Sequence, residues 1–233
     1  MEGRSAPAVL IALLAAVGGG GLSILSLSAA VIASGASQTI ESLRAGEEAD
    51  HQLVADAAER SLGAGRLFDK GRYNSEAALA LGRLDEKDRQ RILGQETMLG
   101  VVDQSLVVAP ASPHNWARRA RLQLLACDIE GARRSIETSL LFGRFVPGLT
   151  VPRLSIILAL LHRAPDGDLE RSFEEQVRIA ARLEPSELAG FADGGAAEGR
   201  VQRILSSDFA LYNAYLKSLI ALRADKSRAK NVS

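Results

Sequence analysis

Between Ala109 and Leu140 apolar and polar positions repeat with a helical period, break once, and repeat again. Trp116, Ala120, Leu124 and Cys127 share one face of the first arm, and Ile129, Ala132, Ile136 and Leu140 share one face of the second. Ser112 and Pro113 form a start signal for the first arm, and Asp128 can cap the second. The pattern predicts a helical hairpin whose two amphipathic arms need further helices against them. Downstream, Leu154, Ile156, Ile157, Leu158, Leu160 and Leu161 make the stretch from Arg153 to Arg163 apolar almost all round, the mark of a deeply buried helix. A last helix, from about Asp208 to Arg223, sets Phe209, Tyr212, Leu216, Leu219 and Leu222 along one side.

Upstream the pattern is different. No charged side chain occurs between Arg4 and Glu41, and Pro7 to Ile32 is built of Ala, Val, Leu, Ile, Gly and Ser. About 20 such residues suffice to cross a bilayer as a helix. Gly18 to Gly21 would each cost about 1 kcal/mol in an aqueous helix, but open backbone is costlier still in hydrocarbon. The expectation is an uncleaved single-pass anchor over residues 1–36, entering the membrane through residues 7–32. Arg4 on one side and Glu41, Glu47, Glu48 and Asp50 on the other orient the domain away from the cytoplasm, in a bacterium the periplasm or cell exterior. A cleaved signal is the competing reading, since Ser34 and Ala36, or Ser28 and Ala30, have suitable small-residue spacing. Ala15, Gly19 and neighbouring small residues also permit close approach of another membrane helix, and so a homo-oligomer through the anchor.

Residues 37–92 read as a helical stem and first packing helices. Glu47 and Asp50 fall where a coiled-coil seam needs apolar side chains. Gly63, Gly65 and Gly71 lack the ending of a phosphate loop and read as helix punctuation. A helix over about Ser75–Leu84, a charged stretch from Asp85 to Arg91 and a helix over about Leu93–Val107 follow. Gly190, Gly194, Gly195 and Gly199 mark a loop. Residues 93–223 then form the main helical domain and residues 224–233 a polar, frayed tail.

Trp116, Ala120, Ala132 and Ile136 have the spacing of the tetratricopeptide repeat, and Pro110 stands where the last proline of a preceding repeat would. Phe173, Val177, Ala180 and Pro185 recover the second-helix pattern. The region resembles degenerate tetratricopeptide repeats, departing at Arg119, at Gln123 and in the inserted GRFVPGLT. The resemblance implies an α-solenoid. With its amino-terminal run, the chain is also similar to small membrane-anchored accessory proteins of bacterial exopolysaccharide biosynthesis, which implies an accessory role without glycosyl transfer. The fold class expected is all-α: a transmembrane helix followed by a helical-hairpin domain.

Composition narrows the function. The 28 basic residues balance the 28 acidic ones, which removes the global field that draws nucleic acid. Cys127, the single cysteine, excludes an internal disulfide and reads as a small core residue. His51, His114 and His162 are scattered without ligand spacing, and His51 with nearby carboxylates reads as an exposed polar face. Asp166 and Asp168 read as helix-capping acids rather than a metal pair. Tyr212 and Tyr215 read as packing residues. No catalytic, cofactor or metal set emerges, so the expectation is a scaffold that binds a protein of the cell envelope. Arg118, Arg119 and Arg121 are the candidate partner-binding residues, and their guanidinium groups suit an acidic segment.

Overall fold

The computed structural model describes residues 22–94 and 97–230, and every described element is a helix. Contacts divide the chain into two compact units between Pro110 and Ala111.

The first unit begins with α1 (Leu22–Ser34) and α2 (Ser37–Ala45), which meet at a 62° bend. Then come α3 (His51–Leu67), α4 (Lys70–Leu81), α5 (Glu86–Leu93) and α6 (Met98–Val108). No single described helix is long and apolar enough to cross a membrane, although α1 and α2 together reach that composition. The earlier part of the expected anchor lies outside the described residues.

Local chemistry starts these helices. Asp50 accepts the Gln52 and Leu53 N–H groups, Asp69 that of Arg72, Asp85 that of Asp88 and Thr97 that of Gly100. Each satisfies amides that a helix start leaves unpaired. The charged stretch is therefore a helix, α5, supported by Arg89–Glu86 at 2.9 Å and Gln90–Glu86 at 2.8 Å. Arg89 also donates to the Leu81 carbonyl at the end of α4 and to the Leu84 carbonyl in the turn after it. With only Ile92 and Leu93 apolar, α5 carries too little periodicity for a sequence pattern to reveal.

Gly65 and Gly71 are not punctuation; they lie inside α3 and α4. A Cβ on Gly65 would stand 2.6 Å from Asn74 Oδ1, and one on Gly71 would stand 2.8 Å from Val108 Cβ. These glycines and the buried alanines 57, 58, 64, 77 and 78 let α3, α4 and α6 approach closely. Buried Glu76 is held by Arg44 from α2 at 3.0 Å and by Arg72 at 3.3 Å.

The second unit contains α7 (Pro113–Leu125), α8 (Ile129–Leu141), α9 (Thr150–Arg163), α10 (Gly167–Leu183), α11 (Pro185–Ala192), α12 (Glu198–Leu205) and α13 (Phe209–Lys230). Ile136, Leu154, Ile157, Leu160, Phe173, Val177, Leu205 and Tyr215 are at its centre. As expected, α9 is deeply buried and packs on α8 and α10.

Gly190 and Gly199 lie within α11 and α12, so only Gly194 and Gly195 occupy the turn. The buried face of α13 is Leu211, Tyr215 and Leu219, which shares only Leu219 with the expected stripe, and Phe209 is exposed. Its tail continues as helix to Lys230, with Arg223 and Lys226 each 2.7 Å from Asp193.

Candidate functional site

The α7–α8 hairpin forms at the expected place, but polar chemistry closes it. Ser112 caps α7 through the Asn115 N–H, and Asp128 caps α8 through the Gly131 N–H. Ser135 donates to Gln123 Oε1 at 2.6 Å, and Gln123 Nε2 donates to Asp128 Oδ2 at 3.1 Å. Gly131 lies against this junction, where a Cβ would overlap Asp128 and Gln123. Asn115, Gln123, Ser135 and Ser139 are buried beside the apolar positions that the sequence pattern marks. Gln123, a departure from the tetratricopeptide pattern, is thus satisfied by side chains of α8 and its cap.

The same network changes the expected site. Arg119 donates to Ser135 Oγ at 3.0 Å and its guanidinium carbon lies 5.8 Å from the Trp116 ring centre. It is a hairpin residue as much as a displayed cation. Arg118 is half-buried and donates to Asn115 Oδ1 at 2.8 Å, whereas Arg121 is exposed. Trp116 is half-buried rather than a core residue, because Ala117 and Ala120 face the core instead. Cys127 is exposed, in a left-handed conformation at the turn, with φ of 61°. The apolar face of α7 ends one turn earlier because Gln123 and Asp128 close the hairpin there.

Sequence reasoning missed Arg153. It sits in the middle of the second unit with no exposed surface, yet its guanidinium has partners on every side: Ser139 Oγ at 3.0 Å, the Ser139 carbonyl, and the Gly143 carbonyl at 2.7 Å. These are carbonyls at the end of α8 and in the inserted GRFVPGLT. Burial pushes the arginine down to about 10, still cationic at neutral pH. An arginine opening an otherwise apolar run was the available signal.

Two titratable groups of side chains remain. Asp166 caps α10 through the Asp168 and Leu169 N–H groups, and these hydrogen bonds hold its carboxyl below the usual range. It borders a cavity of about 260 Å³ with Ile129, Arg133, Leu160 and Leu169. Arg133 is already paired with Glu130 and Glu137, at 3.3 and 3.0 Å, so the cavity rim is charge-compensated. In the first unit, His51, Asp85 and Asp88 bring their ligand atoms within 4.8 Å of one another. This is the one geometry among the described residues that suits a divalent cation. The three side chains are also already engaged: His51 Nε2 is 2.6 Å from Asp88 Oδ2, and the Asp85 carboxylate accepts the Asp88 backbone N–H. The Asp88 hydrogen bond raises the imidazole above 6.5, and the same contact lowers the carboxyl. Protonated His51 is therefore favoured, which opposes metal ligation. His114 and His162 lie exposed on α7 and α9, outside this group.

No protein-family model matches the sequence, and neither a curated protein nor a solved structure matches the chain.

Proposed function

We propose that this protein is a non-enzymatic helical scaffold of the bacterial cell envelope, held at the inner membrane by its charge-free amino-terminal run. Its repeat-like second unit captures an acidic segment of a protein partner. The observation that carries this reading is the division of labour on α7. Arg119 and Arg118 engage the hairpin through Ser135 and Asn115, while Arg121 extends the basic edge outward. A rim whose inner cations are positioned by the fold is preorganised for bidentate carboxylates. Service in exopolysaccharide biosynthesis or export extends the resemblance of the anchor and hairpin to accessory proteins of those systems. Retrieval by the detergent-solubilised full chain tests the rim. The retrieved partner should carry an acidic segment, release as salt rises, and be lost with Arg121→Glu while helix content is unchanged. Equal retrieval by the variant at the same salt overturns the proposal.

A further inference from the structure

We propose that the corner between α3 and α4, formed by Arg66, Leu67, Phe68 and Lys70, is a second membrane contact. It is seated in the headgroup layer of an anionic phospholipid bilayer beside the point where α1 leaves it; this rests on the reading that the amino-terminal run is an uncleaved anchor.

Gly35 lies against the Arg60 guanidinium and Gly63 against Ile32, while Ala29, Ala33, Ala64 and Tyr73 pack together. Hence α1 and α3 run antiparallel, and moving toward the start of α1 leads to the end of α3. There Phe68 lines a shallow groove with Leu22, Ser26, Leu27 and Ala30. A span of about 20 residues crosses the hydrocarbon layer, so if the first twenty positions of the apolar run 7–32 make the crossing and the rest continue in the interface, the chain emerges near Ser26, a lining residue of that groove. The corner therefore falls at the level of the interface.

Its composition suits that level. Leu67 and Phe68 keep 39% and 38% of their surface exposed, an unusual place for two adjacent large apolar side chains at a tight corner. Arg66 and Lys70 stand on either side of them and are exposed, while the Asp69 carboxylate between Phe68 and Lys70 accepts the Arg72 N–H as the cap of α4. Leu22, Ile24 and Leu27, each more than half exposed, continue the apolar surface along α1. Apolar side chains entering the acyl boundary with cations at the headgroups is the chemistry of interfacial anchoring, and each cation contributes about fivefold to binding an anionic surface.

The test uses the full chain with Cys127→Ser, carrying a nitroxide at Phe68→Cys, Leu14→Cys or Lys87→Cys. The protein is reconstituted in vesicles of phosphatidylglycerol and phosphatidylcholine. Collisions with oxygen and with a water-soluble nickel complex report depth. The label at 14 should be rich in oxygen and shielded from nickel, that at 87 open to nickel, and that at 68 shielded severalfold relative to 87. Arg66→Gln with Lys70→Gln, or vesicles of phosphatidylcholine alone, should reduce the shielding at 68. If 68 is as open as 87 while 14 stays shielded, the contact is wrong and the anchor survives. An open label at 14 overturns both. Shielding at 68 accompanied by spin–spin broadening that disappears on dilution with unlabelled protein assigns the corner to a second copy instead, and overturns the lipid contact.

Discussion

Arg153 and Ser139 are joined twice: the guanidinium donates to the serine Oγ at 3.0 Å and to its carbonyl, and Ser139 in turn donates to the Pro113 carbonyl at 2.7 Å. One residue of α9 thereby ties the end of α8 to the start of α7. The arginine has no carboxylate among these contacts, so its burial is compensated by carbonyl dipoles. Arg153→Ala would strand the buried Ser139 carbonyl and take its donor from the part-buried Gly143 carbonyl. Breaking such a buried charged network costs about 3–5 kcal/mol. We expect a loss of that size in urea unfolding, with Arg153→Lys recovering only part of it, because an ammonium cannot reproduce the fork of donors.

Phe173 and Trp116 separate true core from covered surface. Phe173 is fully buried, and Phe173→Ala should cost about 3–5 kcal/mol. Trp116, half-buried under Arg119, should cost only about 1–2 kcal/mol as Trp116→Ala, in proportion to the area it removes from water. Equal losses by chemical denaturation would show that Trp116 is as deeply packed as Phe173.

Glycines in helices predict opposite signs. A helical Gly→Ala replacement normally stabilises by about 1 kcal/mol. Gly199→Ala should do so, since a Cβ there meets nothing within 4 Å. Gly71→Ala should instead destabilise by about 1–3 kcal/mol, because its Cβ would overlap Val108. Thermal unfolding midpoints of the two variants should therefore move in opposite directions.

The His51–Asp88 clasp between α3 and α5 depends on pH from both sides. The imidazole is raised above 6.5, so its contribution is present below that value and is lost as pH rises through the folded value. The Asp88 carboxyl is lowered below 3.8, so its contribution is present above that value and is lost as pH falls through the folded one. Asp88→Asn should return the His51 titration toward 6.5 in an NMR experiment. An unchanged midpoint would assign the shift to Asp50 and Asp85.

Helix starts were legible in the sequence because capping is local: Ser112, Asp128 and Asp166 each bond to amides two or three residues ahead. The all-α class and the burial of α9 were legible for a similar reason, the absence of strand alternation and the density of apolar residues. The start of α5 was equally local, at Asp85, but its charged body carried no periodic signal. What only the tertiary structure decided is which side of each helix faces inward. Gly71 lies buried because Val108, 37 positions away, packs on it. Arg153 is interior because carbonyls of α8 and the following loop supply its hydrogen bonds, while Cys127 is outside because Gln123 and Asp128 close the hairpin before it. The three-arginine site was divided in the same way, since Ser135 from the neighbouring helix claims Arg119 and leaves Arg121 exposed. A hydrophobic period records how apolar a face is, but burial of polar groups is decided by partners distant in the chain, and those become neighbours only when the helices pack.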